Sequence, residues 1–151
     1  MIRFTILGQP CSKANSRRLV KFGDRIVPIK SKEALDYERS ARLQIPAHAK
    51  QMLEGPVCVT LRLYYSSERP DLDESIVLDV MQARFDGRGK DRRVIHKGVF
   101  GNDRQVRQKH VYHYIVKANP RAEIEVEPLV EQLPVVAVQV FQVPIQSIKP
   151  F

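Results

Sequence analysis

The segment Val57–Tyr65 constrains the fold of this chain more than any other part of its sequence. Apolar side chains occupy every second position, and Cys58, Thr60, Arg62 and Tyr64 lie between them. A period of two, sustained over nine residues of β-favouring types, predicts a strand with one face buried in a core. The strand leads directly into residues 66–74, where an unusual group of charged side chains is found.

Weaker alternation elsewhere predicts further strands around this one. The expected strands are residues 1–7, the arms 19–22 and 25–29 of a hairpin about Gly23-Asp24, a long strand at 105–117, and a short partner strand at 124–126. The stretch 133–148 alternates less clearly. It either completes the same sheet or forms an edge strand or arm that pairs with another subunit or partner.

Two helices are also predicted. Ser31 can cap the first, in which apolar residues recur at spacings of three and four up to about Ile45. The second is expected to begin at Asp73 or Ser75 and to continue to Arg84. The segment after it is then expected to be a loop.

The charge of the chain favours a polyanionic partner. Its 25 lysines and arginines exceed its 17 acidic residues, for a net charge of +8, and such an excess is typical of proteins that bind nucleic acid or another anionic surface. Basic residues are densest between 84 and 97. This segment is a candidate phosphate-binding loop, and the alternative is a solvated insertion with ordinary surface charge.

Three carboxylates within four residues stand out in this basic chain: Asp71, Asp73 and Glu74. Such a cluster repels phosphate unless a cation lies between them. In an extended segment Asp71 and Asp73 point the same way while Leu72 turns towards the core. Oxygen ligands of this kind suit Mg²⁺, or Mn²⁺ as an alternative. The other interpretation is that they are helix caps or solvated turn residues.

A third metal ligand is expected from a distant segment. Asp103 lies in a turn before the strand at 105–117, among basic neighbours, and is our candidate. Metal sites of this type can activate water for phosphodiester cleavage. The histidines at 48, 96, 110 and 113 are scattered, so no nucleophile and histidine arrangement competes with this interpretation.

Other classes of function have little support in the sequence. No GxxxxGK[ST] loop is present, which argues against a nucleotide cofactor, and no apolar stretch approaches the roughly 20 residues of a membrane helix. The two cysteines, Cys11 and Cys58, lack metal-ligand spacing and are expected to remain reduced thiols. We therefore expect a cytoplasmic protein.

At this point the sequence resembles the RusA family of Holliday-junction resolvases. Three segments carry the resemblance: Asp71-Leu72-Asp73 before a helix, residues 98–106 (GVFGNDRQV) in the place of a second acidic motif, and residues 8–13 (GQPCSK) with Arg17 as a basic loop. The resemblance implies a homodimeric, Mg²⁺-dependent endonuclease that cuts branched DNA in recombination and repair. It also implies an α/β (α+β) fold, with a mixed β-sheet and two main helices packed on it.

The resemblance assigns roles residue by residue. Asp71, Asp73 and Asp103 are expected to be the catalytic metal ligands, with Glu74 as a possible fourth. The residues expected to contact DNA are Lys13, Arg17, Arg18, Arg69, Arg88, Lys90, Arg92, Arg93, Lys97 and Arg104. The nuclease domain is expected over residues 1–128, followed by a C-terminal extension over 129–151.

This chain departs from the family pattern at several positions. Glu74 replaces an asparagine, Asn102 replaces the first aspartate of a pair, and Val77 occupies the position of a lysine. Lys97 or Lys90 could supply that missing charge. These departures leave open a non-catalytic DNA-binding module on the same fold. A third hypothesis is an interaction protein whose residues 132–136 (QLPVV) recruit a sliding clamp or another partner.

Overall fold

The computed structural model describes residues 1–12, 15–68 and 72–130. In chain order, the strands and helices are β1 (Ile2–Leu7), β2 (Arg17–Phe22), β3 (Arg25–Lys30), α1 (Lys32–Gln44), β4 (Val57–Tyr65), α2 (Ser75–Met81), β5 (Arg84–Asp86), β6 (Arg93–His96), β7 (Val106–Ile115) and β8 (Arg121–Pro128). The chain is of the α+β class, as the sequence predicted. Lys13, Arg69 and Asp71, and the C-terminal segment from 131 onward, lie outside the described residues.

The main sheet has four strands in the order β1-β8-β4-β7. The central strand β4 pairs in parallel with β7 and antiparallel with β8, and β8 pairs antiparallel with β1. In this register Leu61 of β4 lies opposite Val111 on one side and Ile124 on the other. The sheet is therefore mixed, and its best-predicted strand lies inside it.

β8 corrects one prediction. It is a full strand between β1 and β4, whereas the sequence suggested a short partner after the turn that follows β7. Because β7 runs parallel to β4, the chain leaves β7 beside the end of β4, where Val116 donates to the carbonyl of Tyr65 at 2.7 Å. It then crosses to the other side of β4, where Ala122, Ile124 and Val126 are all buried.

The helices and one face of the sheet share a single hydrophobic core. Leu61 and Leu63 of β4 are completely buried in it, and full burial of a leucine side chain contributes roughly 1.5–3 kcal/mol. The helical residues of this core are Ala34, Tyr37 and Ala41 of α1 and Ile76, Val77, Val80 and Met81 of α2. On the opposite face the charged side chains of Arg62 and Glu125 pair at 2.7 Å. Helix packing on one face alone explains the strict alternation of β4.

Helix α1 begins and ends where the sequence predicted. The Ser31 hydroxyl accepts a hydrogen bond from the Ala34 N–H at 3.1 Å, which satisfies one of the free donors of the first turn. The helix ends at Gln44, and Ile45 is extended (φ −66°, ψ 115°), the conformation that a following proline such as Pro46 favours. A single 3-10 turn, Ala47–Ala49, follows.

Helix α2 is shorter than predicted, because residues 98–100 pair with the backbone that follows it. Val99 donates to the carbonyl of Met81 at 2.8 Å, and Ala83 donates to the carbonyl of Phe100 at 3.0 Å. These bonds end the helix at Met81, so the predicted continuation to Arg84 is wrong. The basic segment after it is also not an irregular loop: β5 and β6 form an antiparallel hairpin.

Two further predictions concern cysteines and membranes. Cys11 and Cys58 are both buried and neither is in a disulfide within the described residues, as expected for reduced thiols. Within the described part of the chain, no helix is both long and apolar enough to cross a membrane.

Candidate metal and nucleic-acid site

The acidic segment after β4 is tied to the N-terminal loop. Ser66, the first residue after β4, donates its main-chain N–H to Oε1 of Gln9 at 2.9 Å, and its hydroxyl donates to the same oxygen. Gln9 lies in the loop 8–13, of which Pro10, Cys11 and Ser12 are buried. The loop at 8–13 therefore contacts the chain five residues before Asp71.

Asp73 stabilises the start of α2. Its Oδ1 accepts from the main-chain N–H of Ser75 at 2.9 Å, and its Oδ2 accepts from the Ser75 hydroxyl at 2.8 Å. The preceding Leu72 is half-buried against the core, as predicted. A carboxylate oxygen has two acceptor positions, so each oxygen of Asp73 retains capacity to bind a cation.

Glu74 is held by a lysine from β7. The ammonium of Lys109 donates to Oε1 of Glu74, and the Glu74 side chain is 21% exposed. Burial alone would raise the pKa of Glu74, but the hydrogen bond and charge of Lys109, together with the Glu74 main-chain N–H, keep that pKa below its ordinary value. Glu74 is therefore ionised and paired at neutral pH.

Sequence reasoning did not identify this role of Lys109. The position did carry a signal: Lys109 lies two residues before Val111, on the side of β7 that faces the core. A charge on that side of a strand requires a partner, and Glu74 is the partner. Lys97, which the sequence suggested as a source of the missing positive charge, lies in a groove beside α1.

The turn that contains Asp103 is fixed by its neighbours. Asn102 caps a single 3-10 turn, Asp103–Gln105, by accepting from the Arg104 N–H at 2.9 Å. Gln105 returns a bond by accepting from the Asn102 N–H at 3.0 Å, and its amide donates to the carbonyls of Leu53 and Gly55. Asp103 itself is exposed. Asn102, which replaces an acid in the family pattern, thus has a structural role as a cap.

Contacts at both ends of α2 connect the acidic segment after β4 to the chain on either side of Asp103. The end of α2 bonds to residues 99 and 100, just before Asp103, while Glu74 at its start contacts Lys109, just after Asp103. Across residues 1–12, 15–68 and 72–130, no three histidine, cysteine, aspartate or glutamate side chains form a group that could hold a metal ion. Asp71, the third carboxylate of the predicted set, is outside those ranges.

The candidate DNA-binding residues that the structure describes fall on or beside two hairpins and in one turn, and Lys13 and Arg69 lie outside the described residues. Arg17 and Arg18 are exposed on β2, and Arg104 is exposed in the turn before β7. The candidates in the β5–β6 region are all exposed: Arg88, Lys90, Arg92, Arg93 and Lys97. Within this hairpin Arg92 stacks over the ring of Phe85 at 3.9 Å, which holds its guanidinium at the surface.

No family model matches the chain, and no curated protein matches it. The resemblance described above therefore depends on its sequence motifs alone.

Proposed function

We propose that this chain is a Mg²⁺-dependent endonuclease of RusA type that cuts branched DNA by phosphodiester hydrolysis. The observation that carries the proposal is the contact between Glu74 and Lys109, which joins the acidic segment after β4 to the strand that Asp103 precedes. A strongly basic hairpin on the same chain supports a nucleic-acid substrate. The family resemblance supports homodimer formation, and the two reduced thiols suit the cytoplasm.

The donor chemistry fits a hard divalent cation. Asp73 offers free acceptor positions beside a helix start, and Asp103 is exposed on a turn held by Asn102 and Gln105. Carboxylates of this kind suit Mg²⁺ or Mn²⁺, with Asp71 as the further ligand of the proposal. When bound, such an ion activates water and stabilises the leaving oxygen. In this proposal Lys109 positions Glu74, and the arginines and lysines of β2 and the β5–β6 hairpin bind phosphates.

The proposal is tested by cleavage of a synthetic four-way junction. Asp71→Asn and Asp103→Asn are expected to abolish cleavage in Mg²⁺ while leaving junction binding within about threefold of wild type, because neutralising a carboxylate adds no repulsion. Asp24→Asn, at the tip of the β2–β3 hairpin, is the matched control and should cut normally. If Asp71→Asn cuts at the wild-type rate, the catalytic assignment is wrong.

Two contacts favour a second candidate function, that of a non-catalytic DNA-binding module. Both oxygens of Asp73 already accept bonds from Ser75, and Glu74 is paired with Lys109. Both carboxylates thus have structural partners, as would be expected if they stabilise a DNA-binding module and hold no metal. Such a module would bind junctions with an affinity that falls steeply with salt, and it would cut nothing in either Mg²⁺ or Mn²⁺.

A further inference from the structure

A groove of about 330 Å³ lies between α1 and the β5–β6 hairpin. This volume lies within the usual range of small-ligand sites, roughly 300–1,000 Å³. No described residue of the acidic segment 66–74 lines it. The groove therefore shares no described residue with the acidic segment of the proposed metal site.

Positive charge predominates in this groove. Its formally charged lining residues are Arg39, Arg42, Lys50, Arg84, Lys97 and Glu38. Glu38, the single carboxylate among them, is already bound by Lys30 and by Arg84, the latter at 3.3 Å. The remaining cations favour an anionic ligand.

Arg42 is held rigidly at the wall of the groove. Its two terminal nitrogens donate to the carbonyls of Asp79 at 2.8 Å and Gln82 at 3.2 Å, and its Nε has no hydrogen-bond partner among the described residues. Burial, followed by the charge of Arg84, lowers the pKa of Arg42. A phosphate between the two guanidinium groups would relieve their repulsion and accept from the terminal N–H groups that the carbonyls and Glu38 leave unused, whereas the buried Nε of Arg42 is out of its reach.

The groove also has an apolar side that a bare phosphate would not need. Leu35 and Leu43 of α1 are 46% and 82% exposed, although they lie on the helix that packs on the core. They are eight residues apart and thus share one face of the helix, the face that also carries Arg39 and Arg42. An apolar surface beside clustered cations matches a ligand with a flat base and a phosphate.

We propose that this groove binds an unpaired nucleotide of a branched DNA substrate. The phosphate lies between Arg42, Arg84 and Lys97, and the base lies against Leu35 and Leu43. Lys97 follows the basic β5–β6 hairpin directly, so the groove continues the proposed phosphate-binding surface. The inference rests on the proposed binding of DNA, but it does not depend on cleavage.

The test compares DNA probes in EDTA, so that none is cut. Fluorescence anisotropy measures the affinity for a fully paired four-way junction, for a duplex with a three-nucleotide single-stranded tail, and for the same duplex with abasic sites in that tail. The wild type should bind the normal tail about tenfold more tightly than the abasic one, a typical effect of one well-packed base.

Two variants and two matched controls complete the experiment. Leu43→Ser should remove the preference for the normal tail while leaving junction binding within about twofold, and Lys97→Gln should weaken binding of both tails about threefold. Leu19→Ser on β2, where Leu19 is 73% exposed, and Lys117→Gln should leave the preference unchanged. Circular dichroism verifies that each variant is folded.

The outcomes separate this inference from the proposed function. Equal affinity for the two tails, together with tight junction binding, would overturn the nucleotide groove and leave the endonuclease proposal intact. A preference that survives in Leu43→Ser, or a Lys97→Gln variant that binds both tails as tightly as the wild type, would also overturn it. Failure of the wild type to bind any of the three probes would overturn both proposals.

Discussion

Lys109 of β7 contacts the carboxylate of Glu74, thirty-five residues earlier in the chain. The pair connects the start of α2 to β7, which lies at the edge of the sheet that the described strands form. Because the Lys109 side chain is 40% exposed and that of Glu74 only 21%, the contact is partly screened by solvent. It thus contributes to local order more than to overall stability.

The Glu74–Lys109 pair predicts a pH-dependent stability. The pKa of Glu74 is lower in the folded than in the unfolded protein. Its contribution is therefore fully present above the ordinary glutamate pKa of about 4.3 and is lost as the pH falls through the folded-state pKa. We expect Glu74→Gln to lower the free energy of unfolding by about 1 kcal/mol near pH 6, and by progressively less towards pH 3.

Urea denaturation of wild type and Glu74→Gln across this pH range measures the difference. Lys109→Met provides the control background: burial of Glu74 is then no longer offset by the cation, so Glu74→Gln should no longer destabilise the protein near pH 6. A difference that stays constant from pH 6 to pH 3 would contradict the assignment of the lowered pKa to this pair.

The bonds between Asp73 and Ser75 allow a structural role of Asp73 to be tested separately from a catalytic one. Ser75→Ala removes the hydroxyl that donates to Asp73 at 2.8 Å but retains the main-chain bond. We expect it to cost about 1 kcal/mol of stability and to retain junction cleavage, whereas Asp73→Asn should abolish cleavage. Thermal unfolding and a cleavage assay measure both quantities. Equal loss of activity in the two variants would indicate that Asp73 serves only the helix.

Glu38 is expected to be the most sensitive charged residue of the fold. Its side chain is only 3% exposed and is bound by Lys30 of β3 and Arg84 of β5. Glu38→Gln removes the buried charge that these two half-exposed cations share, although Lys30 keeps Asp79 at 3.1 Å, and should lower the free energy of unfolding by about 2 kcal/mol. The control, Asp36→Asn on the same helix, breaks an exposed contact with Arg39 and should change stability by less than about 0.5 kcal/mol. Chemical denaturation measures the free energy of unfolding of both variants. Similar decreases in the two would refute the role of Glu38.

Gly98 is expected to tolerate no side chain. A Cβ atom at this position would lie 2.4 Å from the Met81 carbonyl oxygen and 2.4 Å from the Ala83 nitrogen, both of the main chain. Gly98→Ala must therefore displace the segment that ends α2, at a cost of about 3 kcal/mol. Gly101→Ala is the control, because there the nearest atom is the movable Gln105 Oε1 at 3.2 Å. A Gly98→Ala protein as stable as the control by thermal unfolding would contradict the described packing.

The domain boundary is tested by truncation. A chain that ends at Val130 retains β8 and the bond from Leu129 to the Pro56 carbonyl at 2.8 Å. It should unfold cooperatively, with a midpoint within about 3 °C of the full chain, whereas a chain that ends at Pro120 lacks β8 and should not fold. Thermal unfolding and size-exclusion chromatography provide the measurements. If the chain that ends at Val130 fails to fold, residues 131–151 belong to the folding unit.

Elements with a strong local signal were predictable from the sequence. The nine-residue alternation of β4 fixed both of its ends, and the Ser31 cap with the proline at 46 fixed those of α1. The β2–β3 hairpin followed from the Gly23-Asp24 turn. In each case the residues that determine the structure lie within or next to the element.

Elements determined by distant partners were not predictable in the same way. The end of α2 depends on bonds that join Met81 to Val99 and Ala83 to Phe100, eighteen and seventeen positions apart. The pairing of β8 depends on which strands leave an apolar edge free. The candidate site shows the same division. The sequence made Asp73 and Asp103 candidate ligands from their own neighbours, but Lys109 could be assigned a role only once its partner was known.

The interior position of β8 has a consequence for biosynthesis. β8 is the last of the four sheet strands to be synthesised, yet among the described strands it provides the only partner of β1 and one of the two partners of β4. Its pairing with β1 brings Ile2 opposite Val126, and such long-range pairing slows folding. The nascent chain therefore carries two unpaired apolar strand edges until residue 128 has left the ribosome, and during that interval it is most exposed to aggregation and most dependent on chaperones.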